Sequence, residues 1–309
     1  MQTETARKNQ LLVNFRTETG GPTLQTDSDP LNRQGKRLHM NNGTIAIIQA
    51  RMSSSRLPGK TLKPLAGLPM IWHIYNRVQH CKMVDKVIVA TSNHPSDDPL
   101  ADYCEKNGIS IYRGSLDNVL SRYLAILTEG KSPYYVRITG DCPLIHPPMI
   151  DNQIKALTAF DADAAWCPNP GSAFEGQGVH SARSLFYIAE YSDSLDDQEH
   201  VGSLYLANNP DKFRIVEMSL PEELIVENIR LTIDEEDDYA MFSKLYENLW
   251  PAKKWIELKS ALAWLNKRQD ISSLNKNILH KKLNIELQEK RKNWGQIPKI
   301  GHWKYDSIL

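Results

Sequence analysis

Residues 44–49, TIAIIQ, form a short and almost unbroken apolar run, the pattern of a parallel strand buried on both faces. The first 42 residues are polar, with Leu11-Leu12-Val13 as their main apolar cluster, and predict a flexible extension over 1–42. Beyond residue 44, strand and helix patterns alternate. Ile71, Ile74, Tyr75 and Val78 share one face of a helix that follows Pro69, and KVIVAT (86–91) predicts the next strand. A helix over about 98–107 stops at Gly108, a good C-cap, and leads into a strand at ISIY (109–112). Val119, Leu120, Tyr123, Leu124 and Leu127 mark a further helix, and YYVRIT (134–139) a further strand. Repeated βα units of this length imply right-handed crossovers and an α/β fold with a mostly parallel sheet flanked by helices.

After about Asp161 the pattern loosens. ADAAW is followed by a Gly-rich stretch, helices near 182–191 and 198–208, and strands at FRIVEM and IRLTI, which together suggest a smaller lobe covering a substrate. From Pro251 the chain is helical in pattern and rich in Lys and Trp, with no chemical motif; a packing or dimer-forming tail is expected. The predicted division is a flexible extension (1–42), a catalytic domain (43–250) and a helical C-terminal segment (251–309).

Composition narrows the chemistry. With 37 basic and 37 acidic residues the chain lacks the basic footprint of a nucleic-acid binder, so any phosphate must be held locally. Cys81, Cys104, Cys142 and Cys167 are scattered without metal-binding spacing, which fits reduced thiols in the cytoplasm. No apolar run is long enough to span a bilayer, so no membrane partner is expected.

QARMSSSRLPGK (49–60) directly follows the first strand, where open α/β sheets bind ligands. Its serines let the backbone approach a ligand closely, and Arg51, Arg56 and Lys60 bring three cations suited to a triphosphate. The loop is neither a Walker A nor a GxGxxG motif, and a basic solvated loop is the plain alternative. Asp141, after the buried strand YYVRIT and beside Gly140, stands where a magnesium ligand should project. Asp234, in LTID, reads by position as a helix N-cap or Asx-turn residue for the acidic turn that follows. Asp161-Ala-Asp163 has the DxD form of a glycosyltransferase but lies at a helix-to-strand junction.

The loop 49–60, continued through TLKPLAGLPM, resembles the signature of the cytidylyltransferase family that includes the spore-coat polysaccharide protein F group and, more distantly, the synthetases of CMP-activated sialic acid and KDO. ATSN (90–93), RGSLDNVLSRY (113–123), VRITGDCPLI (136–145), QEHV (198–201), NNPDKF (208–213) and RLTIDEEDD (230–238) are similar in the same order. The resemblance spans about Thr44 to Leu249. It implies a Rossmann-like, GT-A-type fold and transfer of CMP from CTP to a small acceptor with release of pyrophosphate. It implies Mg²⁺ held by Asp141 and Asp234, catalytic roles for Arg51, Lys60 and Asp141, and a homodimer, since relatives often dimerise. By the same resemblance Gln49, Ala50, Arg51, Met52, Arg56, Lys60 and Gly140 line the nucleotide. Ala90, Thr91, Ser92, Arg113, Gly114 and Ser115 surround the base and ribose.

Arg122 and Arg137 are candidates for phosphate or acceptor contacts and equally for surface or ion-paired arginines; Arg137 ranks higher because it shares a strand with Asp141. Relatives carry an acidic D-G-x-D-x-E stretch where this chain has Glu175-Gly176-Gln177-Gly178-Val179-His180. The lost carboxylates suggest an acidic or phosphorylated acceptor, contacted by Arg137, Glu175, Gln177, His180, Glu199 and His200. His200 or Glu199 could also serve as a general base. Two other functions compete: a GT-A-type glycosyltransferase using a sugar nucleotide, and a nucleotide-binding subunit without catalysis.

Overall fold

The computed structural model describes residues 43–168, 174–225, 229–253, 255–278, 289–290 and 293–306. The N-terminal extension expected over 1–42 lies outside the described residues. β1 (Thr44–Gln49) passes through a loop and a 3₁₀ turn (Lys60–Leu62) into a small hairpin, β2 (Pro64–Leu65) and β3 (Leu68–Pro69). There follow α1 (Met70–Val78), β4 (Lys86–Ser92), α2 (Asp98–Lys106), β5 (Ile111–Gly114), α3 (Val119–Gly130), β6 (Tyr134–Thr139) and α4 (Pro147–Phe160). The second half contributes β7 (Ala164–Trp166), β8 (Gln177–Ser181), α5 (Ala182–Tyr191), α6 (Leu195–His200), α7 (Ser203–Asn208) and β9 (Ile215–Ser219). It ends with α8 (Glu236–Lys253), α9 (Leu258–Lys267), α10 (Gln269–Ser272) and β10 (His302–Lys304).

Among the described residues eight strands form one sheet in the order β10-β9-β7-β8-β6-β1-β4-β5. Only β8 runs against its neighbours, pairing antiparallel with β6 and β7. Strand alternation divides the core. Ala46 and Ile48 of β1 pack with α1, α4, α8 and α9, whereas Ile45 and Ile47 pack with α3 and α5. The expected Rossmann-like architecture is therefore present, and covering both faces of β1 explains its unbroken apolar sequence. Among the described residues no helix is long and apolar enough to cross a membrane.

Several expectations are corrected. IRLTI forms no strand, because its donors have other partners: Leu231 N bonds Glu175 Oε2 and Ile233 N bonds Asp141 O. The single helix expected near 198–208 is two, α6 and α7, broken where Val201 and Gly202 take left-handed φ values of 56° and 71°. A Cβ on Gly202 would lie 2.7 Å from Ile188 Cγ2, so the break requires glycine there. The Gly-rich stretch carries β8, and β5 begins two residues later than expected. The segment after Pro251 is not purely helical: Ile256, Leu258, Ala261, Leu262, Leu265 and Ile271 belong to the main core, and β10 extends the sheet beside β9.

Candidate active site

Strand order reverses at β1, which has β4 and β5 on one side and β6 on the other, and the crevice at such a point is where open α/β sheets bind ligands. The loop after β1 and the turn after β6 leave the sheet here side by side, joined by Gly140 N to Gln49 O at 2.8 Å. A side chain at Gly140 would not fit, since its Cβ would lie 2.8 Å from both Ala50 Cβ and Gln49 O. The next residue, Asp141, is thus set at the mouth of the crevice. Its carbonyl accepts from Ile233 N at 2.8 Å, which brings the 229–234 segment alongside and delivers Asp234.

The two aspartates converge on Lys60. Gly59, at φ 70°, turns the loop into the 3₁₀ segment that aims the Lys60 ammonium inward. Lys60 Nζ lies 2.9 Å from Asp141 Oδ2, 2.9 Å from Asp234 Oδ1 and 2.7 Å from the Ile233 carbonyl. These side chains are largely sequestered, at 11 % exposure for Lys60, 23 % for Asp141 and 17 % for Asp234. Burial alone would lower the Lys60 pKa, but the two carboxylates outweigh it and hold the ammonium above its ordinary value. Burial likewise pushes the Asp234 carboxyl up, and Lys60, Arg56 and Arg230 together leave it below the ordinary aspartate value. Asp234 does not cap the following helix: Arg56 Nη2 pairs with its Oδ2 at 3.0 Å, and Arg230 Nη2 binds the same oxygen.

Three oxygens therefore focus on one cation. Among the described residues no three or more His, Cys, Asp or Glu side chains converge as a metal cage. Two carboxylates at a crevice instead fit magnesium, which commonly takes one or two carboxylates and completes its shell with water and substrate phosphates.

A second wall faces this cluster. Arg51 Nη2 pairs with Glu199 Oε1 at 3.4 Å, which joins the loop to α6. Gln49 Oε1 accepts from Arg137 Nε at 3.1 Å, and Arg137 Nη1 reaches Ser203 Oγ at 3.4 Å; Ser203 in turn donates to the His200 carbonyl. Among the described residues Arg137 has no carboxylate partner, so neutral groups hold its guanidinium in place and leave its charge uncompensated.

Sequence reasoning missed what anchors the loop, Asp97. It is fully buried and accepts from Met52 N, Thr91 Oγ1, Ser92 N and Ser92 Oγ. Burial raises its pKa, but these hydrogen bonds more than offset that and leave it low. Thr91 and Ser92 are fully buried with their hydroxyls on Asp97, and the Ala90 carbonyl accepts from Ala50 N, so these three residues frame the crevice and do not present side chains to it. Arg113 is held by the Ser92 carbonyl and by Asp98, at 2.6 Å. Gly114 O accepts from Asn93 N, and Ser115 Oγ from Asn118 N at the start of α3.

Three other expectations, for Arg122, Glu175 and Gln177, change. Arg122 is no phosphate ligand; it is buried and donates to the Ser115, Leu116 and Ala90 carbonyls. Glu175 is turned from the crevice, because its Oε2 accepts from Leu231 N and its Oε1 from the Thr232 hydroxyl, and burial raises its pKa. Gln177 is buried and accepts from His146 N. His180 is half-buried on β8 with its ring 5.6 Å from Tyr135. The Asp161-Ala-Asp163 pair is structural: Asp163 accepts from Ser181, Arg183 and Arg214 N, and Asp161 pairs with Arg183. An open cavity lined by Glu222, Lys259, Leu262 and Asn266 touches none of the site residues.

A switch-point crevice with a cationic loop and two facing carboxylates is the frame of a nucleotidyltransferase. The profile of a family described as cytidylyltransferase matches residues 45–291. The spore coat polysaccharide biosynthesis protein SpsF of Bacillus subtilis is 34% identical over 212 residues, 67% of this chain and 87% of that one. A 3-deoxy-manno-octulosonate cytidylyltransferase of Geobacter sulfurreducens is 37% identical over 114 residues, 36% of this chain and 44% of its own. Among solved structures, a cytidylyltransferase from Leptospira borgpetersenii superposes with a TM-score of 0.68 at 25% identity, covering 78% of this chain and all of that one. The chain belongs to the cytidylyltransferase family, and it is a CTP-dependent nucleotidyltransferase.

Proposed function

We propose that this enzyme transfers CMP from CTP to a small acidic or phosphorylated acceptor, releasing pyrophosphate, in the synthesis of a surface polysaccharide or related glycoconjugate. The observation that carries the reading is the focus of Asp141, Asp234 and the Ile233 carbonyl on one cationic point beside Arg51 and Arg56. Asp141 and Asp234 would hold Mg²⁺, which supplies charge neutralisation at the phosphates. Arg51, Arg56 and Lys60 would grip the triphosphate, and the ring of backbone around Ala90–Ser92 and Arg113–Ser115 would receive cytosine and ribose. An acceptor oxygen then attacks the α-phosphorus in line with the leaving pyrophosphate, and cations fixed on both sides stabilise the charge that develops.

Acceptor preference rests on Arg137. A guanidinium whose hydrogen-bond partners among the described residues are Gln49 and Ser203 is prepared for an anion, and Glu175, the one acidic group of the altered stretch, is turned away toward residues 231–232. His180, Glu199 and His200 complete the acceptor side of this reading. The cytoplasm, where CTP is available, is the proposed location, and a homodimer the proposed assembly.

The test is a panel of sugar acids, sugar phosphates, small phosphorylated acids and neutral sugars, incubated with CTP and Mg²⁺ and read by mass spectrometry for cytidylated product. Product from carboxylate- or phosphate-bearing compounds is expected. Neutral sugars outperforming all of them would overturn the acceptor assignment, and a sugar nucleotide consumed in place of CTP would favour a glycosyltransferase.

A further inference from the structure

The C-terminal segment carries no motif, yet one of its side chains reaches the core of the site. Asn275, buried after α10, donates through Nδ2 to Asp238 Oδ1 at 2.9 Å and to the Arg230 carbonyl at 3.3 Å. Asp238 is fully buried, and both its oxygens are saturated. Oδ1 also accepts from Arg230 Nε at 3.1 Å, and Oδ2 accepts from Asp234 N at 2.9 Å and Glu235 N at 3.0 Å. Arg230 carries the chain forward by binding Asp234 Oδ2 through Nη2. Backbone and carboxylate of Asp234 are thus fixed by one network: Asp238 pins the main chain, Arg230 holds one oxygen, and the other oxygen faces Lys60.

We infer that Asp238 is a positioning residue for the Asp234 carboxylate, and that Asn275 makes the affinity for the divalent cation depend on the C-terminal segment. The inference rests on the reading that Asp141 and Asp234 bind that cation. It follows from burial: a carboxylate with four donors on it has no freedom to turn, whereas an exposed ion pair would leave the ligand mobile. Partners that orient ligands in this way typically govern metal affinity by about 10- to 100-fold. Asp238 touches no reacting atom; it acts through Asp234.

The experiment is titration calorimetry of CTP into the full chain at stepped free Mg²⁺, reading the Mg²⁺ concentration that gives half the maximal CTP affinity. Asn275→Ala should raise that concentration about tenfold and Asp238→Asn further, with CTP affinity restored at saturating Mg²⁺. Leu265→Ala, a core cavity on α9 that removes no hydrogen bond of the network, should lower the melting temperature and leave the Mg²⁺ requirement unchanged. The inference is overturned if Asn275→Ala keeps the wild-type requirement, or if Leu265→Ala shifts it equally, since the effect would then be general loosening. Asp234→Asn separates the two levels: if it and the wild type respond alike to Mg²⁺, the cation reading itself fails, whatever Asn275 does.

Discussion

Lys60 shows how a single ammonium can satisfy two facing carboxylates and a carbonyl at once. Its ammonium balances two carboxylates that would otherwise repel across the crevice, with all three donors engaged. Lys60→Met should therefore lower stability in chelator by about 1–3 kcal/mol, the cost of leaving shielded polar groups without a partner. Millimolar Mg²⁺ should recover much of the loss, as calorimetric melting with and without metal would reveal; an unchanged melting temperature in chelator would count against the arrangement. Asp97 offers a separate check by pH. Because its folded pKa is depressed, its contribution is present above the ordinary aspartate value of about 3.9 and is lost as pH falls through the folded value. Asp97→Asn should cost about 1–3 kcal/mol in urea unfolding at neutral pH, with the gap to wild type narrowing below about pH 4. For Arg137, Arg137→Gln should raise the acceptor KM about tenfold with little change in CTP affinity, the loss of one charge-assisted contact.

At the level of elements, the decisive contact is the approach of β6 to the loop after β1. Gly140→Ala forces them apart and should cost about 1–3 kcal/mol together with most of the CTP affinity, measurable by urea denaturation and nucleotide titration. The strands on either side of that contact were legible in the sequence because burial on both faces of a parallel sheet demands continuous apolar runs, as in TIAIIQ and YYVRIT. β8 was not legible, since QGVHS mixes Gly and polar residues and is a strand through its pairing with β6 and β7. IRLTI misled in the opposite direction: its apolar pattern suits a strand, but Glu175 and Asp141 take donors that a neighbouring strand would have used. Lys60, Asp141 and Asp234 could be found from motif and position. Asp97 and Asp238 could not, because they act by accepting backbone N–H groups, a task that any buried acid performs without leaving a pattern.

For the whole molecule, the sheet and its two helical layers exist to bring three distant parts of the chain together: the loop after β1, the turn after β6 and the segment before α8. Their meeting point is the claim on which the assignment depends. Manganese is the direct probe, through its anomalous scattering in crystals grown with CTP. A single peak within about 2–2.5 Å of both Asp141 and Asp234, touching the nucleotide phosphates, with Lys60 withdrawn from the carboxylates, is the predicted result. A peak on the phosphates alone, with Lys60 still bridging Asp141 and Asp234, would contradict it.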